Sequence, residues 1–274
     1  MQKIISTMQR GGKNGGLKNE ELFVQLFNQS SIQNVWVASI FSKKCILSDG
    51  YIKLKKQKKP STPVVDQSKT DALLIFKNNP EVKHKISLKK GAGRPTSSNV
   101  SETYALMLSV FYENHRPNLE LLELLEKIFN HLPDGIITSE YTVNQLKKDA
   151  NLDPEFIRAR DQYREWKEQY DICNTLWKEM KEKHGEYVRD VFEECLSGKL
   201  KFANNEGTAS FVIDIDVANN GIQEGQYNTI PLTHPNDKLS NYIDQLVRTT
   251  NSPFATKSSR QNSNSPYKIW TRFL

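Results

Sequence analysis

Two strand-like runs stand close together in the first third of the chain. The first, DALLIF, begins at Asp71, and the second, VKHKISL, follows the turn-forming Asn-Asn-Pro sequence at 78–80. We therefore predict strands at 71–77 and 82–90, joined as a hairpin. Antiparallel pairing of these strands would bring Asp71 beside the segment 87–89.

The second predicted strand carries a row of polar residues. With the two-residue period of a strand, Lys85, Ser87 and Lys89 lie on one face. Asp71 would meet this row, and a carboxylate offers the hard oxygen ligands that Mg²⁺ prefers. A lysine beside the ion can orient or deprotonate an attacking water. A half-buried strand also has a polar face, so the same pattern is compatible with an ordinary hairpin.

The sequence around this hairpin resembles a nuclease family. A helix-like segment with Glu stands upstream, TD opens the first strand, and SLK followed by KG closes the second. This order is similar to that of the PD-(D/E)xK superfamily, specifically the MspI-like type II restriction endonucleases. The resemblance covers residues 15 to 110, with a weaker C-terminal similarity. It implies an α/β (α+β) fold with a restriction-endonuclease-like core, in which a central mixed β-sheet is flanked by helices and accompanied by a helical insertion.

The resemblance implies roles for residues of the hairpin. Asp71 would be the metal aspartate, Lys89 the catalytic lysine, and the carbonyl of Leu88 a further metal ligand. Ser87 stands where the family usually has an acidic residue, and a neutral hydroxyl is a poorer Mg²⁺ ligand than a carboxylate. The implied activity is Mg²⁺-dependent hydrolysis of double-stranded DNA by a type II restriction endonuclease.

A replacement carboxylate is present upstream. The family pattern of Gly, three residues and Glu maps onto Gly16 and Glu20, at the start of a helix-like apolar repeat. Glu20 would then be a catalytic residue and a metal ligand, with Glu21 as a less favourably rotated alternative. Acidic residues in a first helical turn also complement the helix dipole, so this assignment depends on the resemblance.

Two segments are candidates for contact with DNA. The Gly-rich loop after the second strand would bring Lys90 and Arg94 to DNA phosphates. The Ser/Asn-rich tail offers donors suited to base edges in the major groove, namely Lys257, Arg260, Gln261 and Asn262. A tail of this composition is equally compatible with a polar loop that has no partner.

Two alternatives remain open. Asp214 and Asp216 alternate within ASFVIDIDVA, which predicts a half-exposed strand, and the pair is a rival metal site. Alternating Asp on a solvent-facing strand is also ordinary. Ser87 keeps a second function open, because a protein without the usual acidic residue could bind DNA sequence-specifically and not cleave it.

Composition agrees with a DNA partner without establishing one. The 274 residues carry a net charge of +6, and positive charge favours phosphate binding through counterion release. Three widely spaced cysteines, the lack of a signal-like start and the absence of a long apolar run predict a protein of a reducing cytoplasm with no membrane partner, and the resemblance implies a bacterial one. Neither a Walker-type phosphate loop nor a GxSxG elbow occurs. Cleavage of both strands would suit a homodimer on a palindromic site.

The rest of the chain predicts the surrounding organisation. We expect a single domain over 1–274, with a catalytic core at 15–115, a helical subregion at 116–200, and C-terminal strands with a DNA-contact segment at 201–274. The Lys-rich stretch at 53–59 favours a solvated loop.

Apolar spacing predicts the buried faces of the helices. A helix after the capping-box residue Asn99 would cover the sheet, and another runs from residue 119 to 129. From Pro154 a long aromatic stripe would pack in the core or, as a second choice, form a dimer contact. The inner residues expected in the first two helices are Tyr104, Ala105, Leu108 and Phe111 or Tyr112, and Leu119, Leu122, Leu125 and Phe129.

Overall fold

The computed structural model describes residues 52–56, 71–76, 79–90, 100–133, 137–147, 153–200, 208–215, 227–232, 236–260 and 262–273, with only the backbone described for some strand residues. The chain forms two compact units. One combines Met1–Pro95 with Glu193–Leu246, and the other combines Thr96–Phe192 with Val247–Leu274. The single domain over 1–274 stays a prediction.

The first unit contains a five-stranded mixed sheet. Its strands stand in the order β1-β2-β3-β5-β6, and β3 and β5 are parallel whereas the other neighbours are antiparallel. This arrangement confirms the predicted α/β class with a mixed sheet. The strands are β1 (Ile52–Lys56), β2 (Ala72–Phe76), β3 (Asn79–Lys90), β5 (Phe211–Ile215) and β6 (Tyr227–Pro231).

The predicted hairpin is present as β2 and β3. Ala72 pairs with Ile86 and Leu74 pairs with His84, so Asp71 lies directly before the paired stretch. The turn is shorter than predicted, because Asn79 already belongs to β3 and pairs with Phe76 across a register irregularity. Such an irregularity accommodates Pro80, whose nitrogen has no hydrogen to donate to a sheet.

The expectation of a loop in the Lys-rich stretch was wrong for residues 52–56. These residues form β1, which pairs antiparallel with β2 from Ile52 opposite Phe76 to Lys56 opposite Ala72. Within β1, Ile52 and Leu54 alternate with lysines, as a strand requires. The high lysine content resembled a loop because edge strands carry such charges, which discourage pairing with other chains.

The strand β5 is more deeply buried than its alternating pattern predicted. Val212 and Ile213 are adjacent and both fully buried, and their side chains face opposite sides of a strand. Both faces of the sheet are therefore covered at this point, and the expected half-exposed strand was wrong here. Parallel pairing with β3 explains the difference, because parallel strands lie in the interior of sheets.

Helices follow one another between β3 and β5, as the predicted helical insertion required. In chain order we number them α1 (Val100–Val110), α2 (Leu119–His131), α3 (Val143–Leu146), α4 (Pro154–Lys183), α5 (Gly185–Ser197) and, after β6, α6 (Asp237–Thr249). One π-helical turn, Phe111–His115, continues α1. The aromatic stripe of α4 is buried as predicted at Phe156, Tyr163, Trp166, Cys173, Trp177 and Met180.

The predicted inner faces of α1 and α2 were right at Phe111 and Leu125, which are buried, and wrong at other positions. Tyr112 is half exposed and Leu119 is 69% exposed. The side chains that are buried are Thr103, Met107, Val110 and Phe111 in and after α1, and Leu121, Leu124, Leu125 and Ile128 in α2. Both segments carry apolar residues on more than one side, so spacing alone left their rotation ambiguous. The packing of α1 on the sheet stays a prediction, and Asn99 lies outside the described residues.

The second unit contains a three-stranded antiparallel sheet that was only partly predicted. Its strands are β4 (Ile137–Ser139), β7 (Phe254–Ser259) and β8 (Tyr267–Phe273), in the order β4-β8-β7. Ile269 of β8 is fully buried in a cluster with the start of α4, which supports the core role of the aromatic stripe. The remaining members of that cluster are Leu146, Phe156, Tyr163 and Trp166.

None of the helices in the described parts of the chain is long and apolar enough to cross a membrane.

Candidate functional site

The Asp71 carboxylate closes the end of the β2–β3 ladder. The backbone N–H of Asp71 donates to the carbonyl of Ile86 at 2.8 Å, directly before the paired stretch of β2 and β3 begins. Further along β3 the acceptor is the side chain of Asp71, whose Oδ2 accepts the N–H of Leu88 at 2.8 Å. These two hydrogen bonds, one made by the backbone and one by the side chain of Asp71, therefore fix its carboxylate beside the segment 87–89.

Ser87 belongs to the same hydrogen-bonded group. Its side chain is 1% exposed, and its hydroxyl donates to Oδ2 of Asp71 at 3.3 Å. A buried hydroxyl requires a partner, and this carboxylate oxygen supplies it. Ser87 therefore supports the position of Asp71. Both of these hydrogen bonds reach Oδ2 of Asp71, and within the described parts of the chain none reaches Oδ1.

Lys89 is placed on the same face as Asp71 and Ser87. It stands two positions after Ser87 in β3, and side chains two apart in a strand share a face. It is partly exposed, whereas Ser87 is buried. The hairpin thus brings the Asp71 carboxylate next to Ser87 and Leu88, with Lys89 following on the same side of the sheet.

The donors present are compatible with Mg²⁺. This ion is commonly held by one or two carboxylates together with waters and substrate phosphates. Oδ1 of Asp71 takes part in neither of the two hydrogen bonds described above. The carbonyl oxygen of Leu88, the residue whose N–H bonds to Asp71, is a second hard donor. Among the described residues no group of three or more His, Cys, Asp or Glu side chains is assembled. Glu20 and Glu21, predicted as further acids, lie outside the described residues.

A residue on the adjacent strand occupies a position that the sequence did not reveal. In the parallel pairing of β3 with β5, Ser87 pairs with Val212 and Lys89 pairs with Asp214. Asp214 was predicted only as part of a rival pair with Asp216, which lies outside the described residues. No local pattern signals this placement, because the helical part of the chain separates the two strands.

His84 lies on the other face of β3 and belongs to packing. Its ring contacts the edge of the Phe211 ring, with centroids 5.9 Å apart. Desolvation by burial lowers the pKa of this imidazole, which favours its neutral form. It alternates with Ser87 along the strand and does not share the face of Asp71.

The C-terminal candidates for DNA contact lie in and around the β7–β8 turn. The guanidinium of Arg260 donates to the carbonyl of Ser263 at 2.8 Å and to the carbonyl of Glu140 at 3.3 Å. It also lies 4.4 Å from the ring centroid of Tyr267. Arg260 therefore shapes the turn.

Asn262 is exposed in the same turn. Its side-chain oxygen accepts the N–H of Asn264 at 3.1 Å and the hydroxyl of Ser265 at 2.8 Å. Lys90 and Lys257 lie in β3 and β7, where the backbone alone is described, and Arg94 and Gln261 lie outside the described residues. Contact of these six residues with DNA stays a prediction.

Comparison with known proteins gives one structural likeness. No family model matches the sequence, and no curated protein matches it. A solved structure of the restriction endonuclease MspI in complex with its cognate DNA is similar, with a TM-score of 0.39 and 12% sequence identity over 91% of this chain and 82% of that chain. A likeness at this level carries no functional assignment, so the function has to be argued from the residues of this chain.

Proposed function

We propose that this chain is a Mg²⁺-dependent type II endonuclease that hydrolyses phosphodiester bonds of double-stranded DNA. The observation that supports this most is the placement of Asp71 by the N–H of Leu88, at 2.8 Å, on the face of the sheet that also carries Lys89. A carboxylate can hold a metal ion and a lysine can orient or deprotonate water, so the two groups on one face can serve metal-assisted hydrolysis of a phosphodiester.

In this proposal Asp71 holds the metal ion, with the carbonyl of Leu88 and Glu20 as further ligands. The bound ion supplies charge neutralisation for the leaving oxygen of the phosphodiester. Asp71 can bind an ion through Oδ1 while Oδ2 keeps its bonds to the strand. Its carboxylate is therefore held in one orientation before an ion arrives, which lowers the conformational cost of binding.

Lys89 orients or deprotonates the water that attacks the phosphorus. A general base must reach the proton that it abstracts, and a flexible lysine on the face of Asp71 has the length to reach a water in that region. Ser87 is proposed to act through Asp71, because its buried hydroxyl bonds to the Asp71 carboxylate. None of its described contacts points to substrate.

The substrate class rests on charge and on the tail residues. The chain carries a net charge of +6, which favours a polyanionic partner. Lys90, which ends β3, and Arg94 are proposed to contact DNA phosphates. In the β7–β8 region, the residues proposed to contact DNA are Lys257, Arg260, Gln261 and Asn262. Cleavage of both strands would be achieved by a homodimer on a palindromic site.

One observation favours a second function, sequence-specific DNA binding without cleavage. Ser87 replaces the acidic residue that commonly precedes such a lysine, and its hydroxyl is already engaged with Asp71. On this alternative, Asp71 only completes the ladder of β2 and β3 by accepting the N–H of Leu88. Both functions predict DNA binding, so cleavage separates them.

The test is incubation of the purified chain with phage DNA in Mg²⁺, in Ca²⁺ and in EDTA. The proposal predicts discrete fragments in Mg²⁺ alone, and run-off sequencing of their ends then gives the target sequence. Lys89→Ala serves as the inactive variant, and Lys268→Ala, an exposed lysine of β8, is the matched control that should cut like the wild type. Retarded but uncut DNA with all three proteins would establish the binding function instead.

A further inference from the structure

Asp214 has a defined place next to the candidate site. In the register of β3 with β5, Asp214 is the residue paired with Lys89. On its other side β6 pairs Asp214 with Asn228, which is neutral. Of the two residues paired with Asp214, Lys89 is therefore the charged one.

The pairing also places Asp214 on the face of the sheet that carries Asp71. Paired residues of neighbouring strands share a face, and Ser87 pairs with Val212, two positions before Asp214. Ser87 in turn hydrogen-bonds to Asp71. Lys89 and Asp214 thus stand on the face that carries Ser87, whose hydroxyl bonds to Asp71 directly before β2.

The neighbouring residues of β5, Val212 and Ile213, are fully buried, so this strand runs through the interior of the sheet. A carboxylate in or near such an interior is costly unless an opposite charge or hydrogen-bond donors compensate it. The register pairs this position with Lys89, and a lysine is a residue type that can supply such an opposite charge.

We propose that Asp214, the residue that the register of β5 pairs with Lys89 of β3, is a positioning residue for Lys89. This inference rests on the proposed function and deepens it. A lysine has four rotatable side-chain bonds, and an attacking water must be held within a narrow range of geometry. Asp214 would confine the ammonium without being a ligand of the metal or touching the DNA.

The kinetic test compares Asp214→Asn with the wild type on an oligonucleotide duplex of the sequenced target. Loss of positioning predicts a fall in kcat of about 100-fold with KM nearly unchanged. Asp214→Glu keeps the charge and should recover part of the lost rate. Asp171→Asn, which removes an exposed carboxylate of α4, is the matched control and should cut normally. Unchanged kcat in Asp214→Asn would overturn the proposal.

Titration of the protein–duplex complex with Mn²⁺, under conditions where the variants do not cut, separates positioning from metal binding. The positioning role predicts the same Mn²⁺ affinity for Asp214→Asn and for Lys89→Ala. If Asp214→Asn weakens Mn²⁺ binding as strongly as Asp71→Asn does, Asp214 is a metal ligand and the positioning role is refuted.

A third measurement does not depend on cleavage. Urea unfolding of the wild type, Asp214→Asn, Lys89→Ala and the double variant forms a thermodynamic cycle. If the two side chains interact, the double variant loses less stability than the sum of the two single losses. Additive losses would overturn the proposal even if the chain cuts DNA, whereas a coupled pair in a chain that never cuts DNA would refute only the proposed function.

Discussion

A charged side chain makes several contacts in the β2–β3 hairpin, and another does so in the turn between β7 and β8. The contacts of these two side chains differ. Asp71 gives a single oxygen to its neighbours, the N–H of Leu88 and the hydroxyl of Ser87. Arg260 gives donors to two carbonyls and its planar face to Tyr267. A side chain with an oxygen that no other described residue contacts is suited to bind a ligand, whereas one whose groups hold the chain together is suited to shape a surface.

The largest expected effect is the loss of cleavage when the charges of the hairpin are removed. Asp71→Asn keeps an oxygen that can accept the N–H of Leu88 but removes the negative charge, and Lys89→Ala removes the ammonium. Each variant should lose about 10²- to 10⁴-fold in single-turnover cleavage while the protein remains folded. Circular dichroism checks the fold, and cleavage at the wild-type rate by either variant would mean that the hairpin is only structural.

Removing the Asp71 side chain altogether should lower stability. Asp71→Ala leaves the N–H of Leu88 and the buried hydroxyl of Ser87 without their acceptor, and we expect a loss of about 2 kcal/mol in the free energy of unfolding. Asp71→Asn should lose clearly less, since one acceptor remains. Urea denaturation measures both variants, and equal losses would show that charge, not hydrogen bonding, is what the hairpin needs from this residue.

Arg260→Ala should give a smaller loss of stability, about 1 kcal/mol, because its two bonds to carbonyls lie in a turn that water can reach. DNA affinity should fall as well, since the turn that carries Asn262 would lose its support. Thermal unfolding and gel retardation measure the two effects. Full stability combined with reduced affinity would show that Arg260 contributes only its proposed contact with DNA and does not hold the turn.

Glu140→Ala should have the smallest effect. Arg260 bonds to the backbone carbonyl of Glu140, which the substitution keeps, while the carboxylate is mostly exposed and 3.9 Å away. Exposed ion pairs at such distances contribute little, so we expect a change within about 0.5 kcal/mol. A loss equal to that of Arg260→Ala would show that the ion pair, and not the carbonyl contact, fixes the turn.

Local pattern was enough to predict the hairpin and the position of Asp71 in it. Two strand-like runs with turn formers between them define a short-range pairing, and the register then places Asp71 opposite Ser87. The aromatic stripe of α4 was equally clear, because its spacing continues over many turns. These features depend on residues that are neighbours in the sequence.

Features that depend on distant parts of the chain were missed. The strand β1 resembled a loop because its lysines belong to a sheet edge, which only its pairing with β2 reveals. The faces of α1 and α2 were rotated because their apolar residues do not form one narrow stripe. The placement of Asp214 beside Lys89 requires the parallel pairing of β3 with β5, for which the sequence of neither strand carries a signal.

The most direct test of the central claim is Mn²⁺ titration of Asp71→Asn and Lys89→Ala, each bound to the uncut target duplex. Both variants are expected to cut too slowly to break the duplex during the titration, so the two complexes differ only in the group that was removed. If Asp71 holds the ion and Lys89 acts on water, Lys89→Ala binds Mn²⁺ at least about tenfold more tightly than Asp71→Asn. Equal affinities for the two variants would show that the carboxylate of Asp71 binds no metal and would contradict the account.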